Sequence, residues 1–168
     1  MRRKTAVFGF LLALSLILSY VESLLPLAAG IPGIKLGLPN LVVVILLYLY
    51  SGREALAVNL LRVVLSGFLF GNLSAIFYAL AGAVCSFTAM LLLQRTKRFS
   101  MMGVSIAGGV CHNIGQILMA VLVVESFAPA FYLPFLLIAG AATGALIGLI
   151  GGRVLSLLDR LPKNGGTL

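Results

Sequence analysis

The sequence predicts an all-α, polytopic membrane protein with six transmembrane helices. Three observations predict it. Of 168 residues, 61% are hydrophobic and only 10% are charged. The mean hydropathy is +1.17. The apolar residues fall into runs long enough to cross a bilayer, and basic residues gather at the ends of those runs. A typical globular domain carries about 25% charged residues. A soluble fold of this size could not bury so much apolar surface, so lipid must solvate much of it. The length suits one membrane domain over residues 1–168.

A spanning helix needs about 20 mainly apolar residues. The first predicted span runs from Thr5 to Leu25, behind Arg2-Arg3-Lys4. It is longer than the apolar core of a secretory signal and more spans follow, so it reads as a retained helix. The stretch Pro26 to Pro39 holds three prolines and three glycines yet is largely apolar. Proline and glycine exclude a regular helix there. Irregular backbone at membrane depth must be buried in protein or line a cavity, so this stretch reads as a lid or plug. A short second segment covers Pro39 to Ser51, and the third covers Glu54 to Phe70. The fourth runs from Leu73 to Gln94, the fifth from Ser100 to Val124 and the sixth from Tyr132 to Leu158. If the second segment only dips into the membrane, the count falls to five.

Lysine and arginine set the orientation. With the N-terminus inside, ten of the twelve basic residues lie on the cytoplasmic side. The expected location is therefore the cell membrane, with both termini cytoplasmic. The net charge of +8 is a topology signal here, and no nucleic-acid partner is expected. Cys85 and Cys111 lie within apolar runs and read as small packing residues. In the sixth span Gly140, Gly144, Gly148 and Gly152 recur every four residues. Such a ladder lets another helix approach closely, either within the chain or from a partner subunit. Gly9 and Ala13 form a shorter version in the first span.

Polar groups inside spans are costly and mark function. Arg62 lies mid-span, with Asn59 three positions before it and Ser66 four after, on one helix face. His112 and Gln116 share a face of the fifth span, with Asn113 beside them. The simplest arrangement turns Asn59, Arg62, His112 and Gln116 toward one cavity. No acidic partner for Arg62 is evident at mid-span, Glu54 being better matched to Arg53. An anionic ligand would offset the cost of burying the guanidinium. Glu22 could pair with Lys35 and tie the loop to the first helix. A loop folded inward would add Lys35 to an outward-facing pocket, and two cations suit a phosphate, diphosphate or carboxylate.

The four acids, Glu22, Glu54, Glu125 and Asp159, are scattered, whereas magnesium-dependent diphosphate chemistry needs clustered carboxylates. No P-loop is present, and a single histidine excludes a multi-histidine metal site. No cofactor and no catalytic residues are expected.

Three pieces together carry a family resemblance: Gly33-Ile-Lys35-Leu-Gly37-Leu-Pro-Asn40, then Arg53-Glu-Ala with Asn59 and Arg62, then His112-Asn113-Ile-Gly115-Gln116. The chain resembles the proteins called heptaprenyl diphosphate synthase component I, or the Gx transporter family. These are similar to the substrate-binding S components of energy-coupling factor (ECF) transporters. The resemblance implies a six-helix S-component-like fold and a loop that closes over an outward-facing pocket. It implies transport energised by a coupling protein and ATPase subunits. The candidate ligand-binding residues are Lys35, Asn40, Asn59, Arg62, His112, Asn113 and Gln116, of which Asn40 enters through the first of the three resembling pieces. The family name implies instead an accessory role beside a polyprenyl diphosphate synthase, with a quinone- or flavin-linked redox assembly as a further possible partner. An isoprenoid-like anion would suit either. The first helix carries only Gly9 and Ala13 of the small-residue motif on which S components dock.

Overall fold

A computed structural model describes residues 2–25 and 36–160 of the chain. The described residues form six α-helices and no strand: α1 (Arg2–Leu24), α2 (Leu38–Leu49), α3 (Gly52–Phe70), α4 (Leu73–Thr96), α5 (Met101–Val124) and α6 (Leu133–Arg160). A 3-10 turn, Ala128–Tyr132, leads into α6. Every expected helix is present, with ends displaced by a few residues. Of the expected lid, residues 26–35, Lys35 among them, lie outside the described residues.

Local chemistry sets the helix ends. Ser51 caps α3 by accepting from the Glu54 amide, while Glu54 accepts from the Ser51 amide. This reciprocal box satisfies two N–H groups that the first turn leaves open. It also replaces the expected match of Glu54 with Arg53, because the helix terminus offers the carboxylate a nearer donor. Asn72 caps α4 and Ser100 caps α5 in the same one-sided way. The α4 helix stops at Lys97, whose backbone is left-handed at φ 54°.

Consecutive helices run antiparallel. Phe8, near the start of α1, meets Tyr50 at the end of α2, and Tyr20 near the end of α1 meets Phe70 at the end of α3. Gly52 lies against Leu91 and Gly67 against Ile76, so α3 and α4 are antiparallel. The α5–α6 pair is built on glycine. A Cβ on Gly109 would stand 2.2 Å from the Gly140 carbonyl oxygen, one on Gly144 would stand 2.6 Å from the Ser105 oxygen, and one on Gly148 would stand 2.5 Å from the Met102 Cα. The ladder is thus used inside the chain for three of its four rungs. Only Gly152 has open space around it. That limits the partner-subunit reading of the ladder to its last residue. Gly9 is also unpacked, and it lies with Ala13 on the exposed side of α1.

The short α2 is the most buried helix. Val43, Val44, Leu46 and Leu47 are almost wholly enclosed, and they pack with Ala55, Val58, Phe87, Met90, Val104 and Ile147. The outer surface is the reverse of a soluble protein's. Phe131 is 82% exposed, and Leu122 and Ile138 are each 72% exposed. Exposed aliphatic and aromatic side chains on long helices are what hydrocarbon solvates. Four helical stretches are long and apolar enough to cross a bilayer: Lys4–Leu24, Leu73–Thr96, Met101–Val124 and Ala128–Arg160. The α3 helix has the length but carries Arg53, Glu54 and Arg62. The 12 residues of α2 extend only about 18 Å, short of a hydrocarbon core of about 30 Å.

Candidate functional site

Arg62 is placed by the register of α3. The capping box fixes where the helix begins, and residues three apart then share a face. Asn59 on that face is 2% exposed. Its Oδ1 accepts a 2.7 Å hydrogen bond from Arg62 Nη2, and Asn40 Oδ1 of α2 accepts a second from the same nitrogen at 3.3 Å. Arg62 Nε is buried and has no hydrogen-bond partner among the described residues. The guanidinium is thus held by two neutral amides, and the acidic group that acts on it is Glu22 of α1, which the sequence did not reveal as its neighbour.

Asn40 reaches Arg62 because of how α2 starts. Gly37 adopts φ +70°, a conformation glycine takes without strain, and its carbonyl receives the Asn40 amide at 2.8 Å. Pro39 follows in the first turn, where its missing N–H costs nothing. The Gly37 amide donates to the carboxylate of Glu22 on α1. Glu22 and Asn40 thereby flank one turn of backbone.

These groups border a cavity of about 280 Å³. Its walls include Ser19, Glu22 and Ser23 of α1, Gly37, Pro39 and Asn40 at the start of α2, Arg62, Ser66 and Gly67 of α3, Ala75 and Ala79 of α4, His112 and Asn113 of α5, and Gly140 and Thr143 of α6. All six helices contribute from the same end of the bundle, the end away from the start of α1. Gly82 of α4 makes room for His112: a Cβ there would stand 2.9 Å from His112 Cε1 and 2.9 Å from its carbonyl oxygen. Asn113 donates its amide to the Leu136 carbonyl and so joins α5 to α6 at the cavity wall.

The predicted residues divide. Asn40, Arg62, His112 and Asn113 line the cavity, and Asn59 stands behind Arg62. Gln116 does not join them. It lines a separate, mostly apolar groove of about 520 Å³ with Tyr78, Ile117, Tyr132 and Leu136. Four residues along α5 rotate a side chain by only ~40° but raise it by ~6 Å, which carries Gln116 past the cavity wall. The single cluster read from the sequence is therefore two sites. Ser19, Glu22 and Ser23 were missed as cavity residues. The signal was present: Ser15, Ser19, Glu22 and Ser23 form a polar stripe at helical spacing on an otherwise apolar helix.

Among the described residues no group of three His, Cys, Asp or Glu side chains could hold a metal ion. The arrangement offers one fixed cation, one carboxylate, an imidazole and several hydroxyls around a small space, which suits recognition of a polar molecule.

No curated protein matches the chain, and no solved structure matches it. One family model does, over residues 11–154, and its description is heptaprenyl diphosphate synthase component I. That match spans the polar stripe of α1, Asn40, Arg62, His112 and the glycine ladder to Gly152, and the chain belongs to the heptaprenyl diphosphate synthase component I family.

Proposed function

We propose that this chain is a non-catalytic, membrane-embedded substrate-binding subunit that captures a small anionic ligand at Arg62 and passes it on with the help of separate subunits, in the manner of an ECF S component. One observation carries the reading: a guanidinium held by Asn40 and Asn59 at the edge of a cavity inside an apolar bundle. A charge in such a place is costly unless it is compensated. Glu22 in the same cavity offsets part of that cost, and an anion entering at Arg62 would offset more of it.

On this reading the helices cross the membrane six times. Both termini face the cytoplasm of a cell-membrane protein. The antiparallel order brings Lys4, Arg53, Arg95, Lys97, Arg98, Arg153 and Arg160 toward one end of the bundle, and the positive-inside rule assigns that end to the cytoplasm. The cavity then opens outward, where a ligand would be captured. Its volume of about 280 Å³ lies just below the range of about 300–1,000 Å³ that holds drug-sized ligands. That favours a small metabolite or a head group over a chain of several isoprene units.

Incubation of the purified protein with a polar extract of its own cells tests this reading, with retained compounds identified by mass spectrometry. A retained anion that is lost in Arg62→Ala and weakened in His112→Ala is the expected result. Equal retention by the wild type and both variants removes the site.

The family's name favours a second reading, in which the chain is a membrane accessory subunit of a polyprenyl diphosphate synthase. Purification from native membranes at the natural expression level separates the two. Stoichiometric ATPase subunits support transport, and a prenyl synthase supports the accessory role.

A further inference from the structure

We infer that the ligand is zwitterionic, with a cationic or donor-rich group held at Glu22 and an anionic group held at Arg62. This deepens the binding reading above and rests on it.

The two walls of the cavity differ in the sign of the charge they carry. On α1 the hydroxyl of Ser19 donates to the Ser15 carbonyl at 2.9 Å, and that of Ser23 donates to the Tyr20 carbonyl at 2.6 Å. A serine hydroxyl has one proton to give. With those protons spent on the helix backbone, Ser19 and Ser23 present only lone pairs to the cavity. Glu22 stands between them, and an ionised carboxylate has room for about four hydrogen bonds. Its Oε1 receives the Gly37 amide, while Oε2 takes no hydrogen bond from the described residues. The α1 wall is thus a run of three acceptors, one of them charged. On α3 the cavity meets the Arg62 guanidinium, which only donates, and the Ser66 hydroxyl, whose proton goes to the Val63 carbonyl at 3.2 Å.

Glu22 and Arg62 attract each other across the cavity, while the hydrogen bonds that hold each come from neutral groups: a backbone amide for Glu22 and two side-chain amides for Arg62. A simple anion would satisfy Arg62 and be repelled by Glu22 in the same small space. A simple cation would meet the reverse problem. A molecule carrying both charges matches both walls, and an ammonium group, with three donors, matches three acceptors.

Matched pairs of small probes test this by calorimetry on the purified full-length protein. One pair is 2-aminoethyl phosphate and ethyl phosphate, and the other is β-alanine and propionate. In the wild type at least one zwitterion should bind about tenfold tighter than its amine-free mate, the size expected for a hydrogen-bonded charge. Glu22→Gln should abolish that preference, and Arg62→Gln should weaken both members of the pair. Ser19→Ala with Ser23→Ala should reduce the preference while keeping the carboxylate, which covers the case in which Glu22→Gln fails to fold. Equal affinity within both pairs, or no measurable binding of either zwitterion, overturns the inference. So does a Glu22→Gln loss that is equal for both members, which would make Glu22 only a fastening for Gly37. Tighter binding of ethyl phosphate that is lost in Arg62→Gln would overturn the zwitterion and leave the anion site standing. No effect of Arg62→Gln on any probe would remove the anion site itself.

Discussion

At the scale of single residues, the chemistry rests on how Arg62 is held. Asn59 is buried and supplies its shortest hydrogen bond. Replacing it with leucine of similar size removes an acceptor from a buried charged donor. Asn59→Leu should cost about 1–3 kcal/mol of stability, read from thermal unfolding in detergent, and should weaken ligand binding with it. A variant as stable as the wild type would show that Arg62 does not depend on Asn59. Gly37 is the second case. Its φ of +70° makes any side chain there strained by about 1–2 kcal/mol, and its amide is fastened to Glu22. Gly37→Ala should therefore loosen the start of α2 and reduce affinity more than it reduces the unfolding temperature. Arg62, Asn59 and His112 were legible in the sequence because polar side chains stand out in apolar helices. Asn40 gained its place there only through family resemblance, since nothing local says that the start of α2 lies at the depth of Arg62. Glu22 was visible as a charge but not as a cavity residue. Its acceptor role depends on where the serines beside it spend their protons, and that is a matter of rotamers.

At the scale of elements, small residues decide which helices can approach. The ladder of α6 was legible as a packing motif, but not which helix it meets. Three dimensions assign α5, through Gly109, Ser105 and Met102. The backbone-to-backbone approach leaves no space for a methyl group. Gly109→Ala should destabilise the protein by about 1–3 kcal/mol through overpacking, while Gly152→Ala, in open space, should be neutral. Equal unfolding temperatures for the two variants would contradict this assignment of the ladder. The misplacement of Gln116 belongs to the same scale. Shared face was inferred correctly from spacing, but the rise along the helix and the wall formed by α4 and α6 put it in another groove.

At the scale of the whole molecule, composition determined the class. Six apolar segments became six helices, and from α2 onward their antiparallel order follows from short connections. The exception is α2, whose 12 residues cannot cross a bilayer alone. Cysteines placed singly at Ser51, Arg98 and Ser126, in a chain with Cys85 and Cys111 replaced, map the crossings with a membrane-impermeant thiol reagent. Ser51 and Arg98 should react only after the membrane is opened, and Ser126 in intact cells. Labelling of Ser51 from outside would contradict six crossings with the N-terminus inside. The central claim, that the cavity is a ligand site built on Arg62, has one direct measurement. It is an experimental structure of the protein extracted from its native membrane, at a resolution that shows small molecules. The account predicts density in the cavity with an anionic group within about 3.2 Å of the Arg62 guanidinium. A cavity filled instead by the chain's own residues, with Arg62 paired to a protein carboxylate, would contradict it.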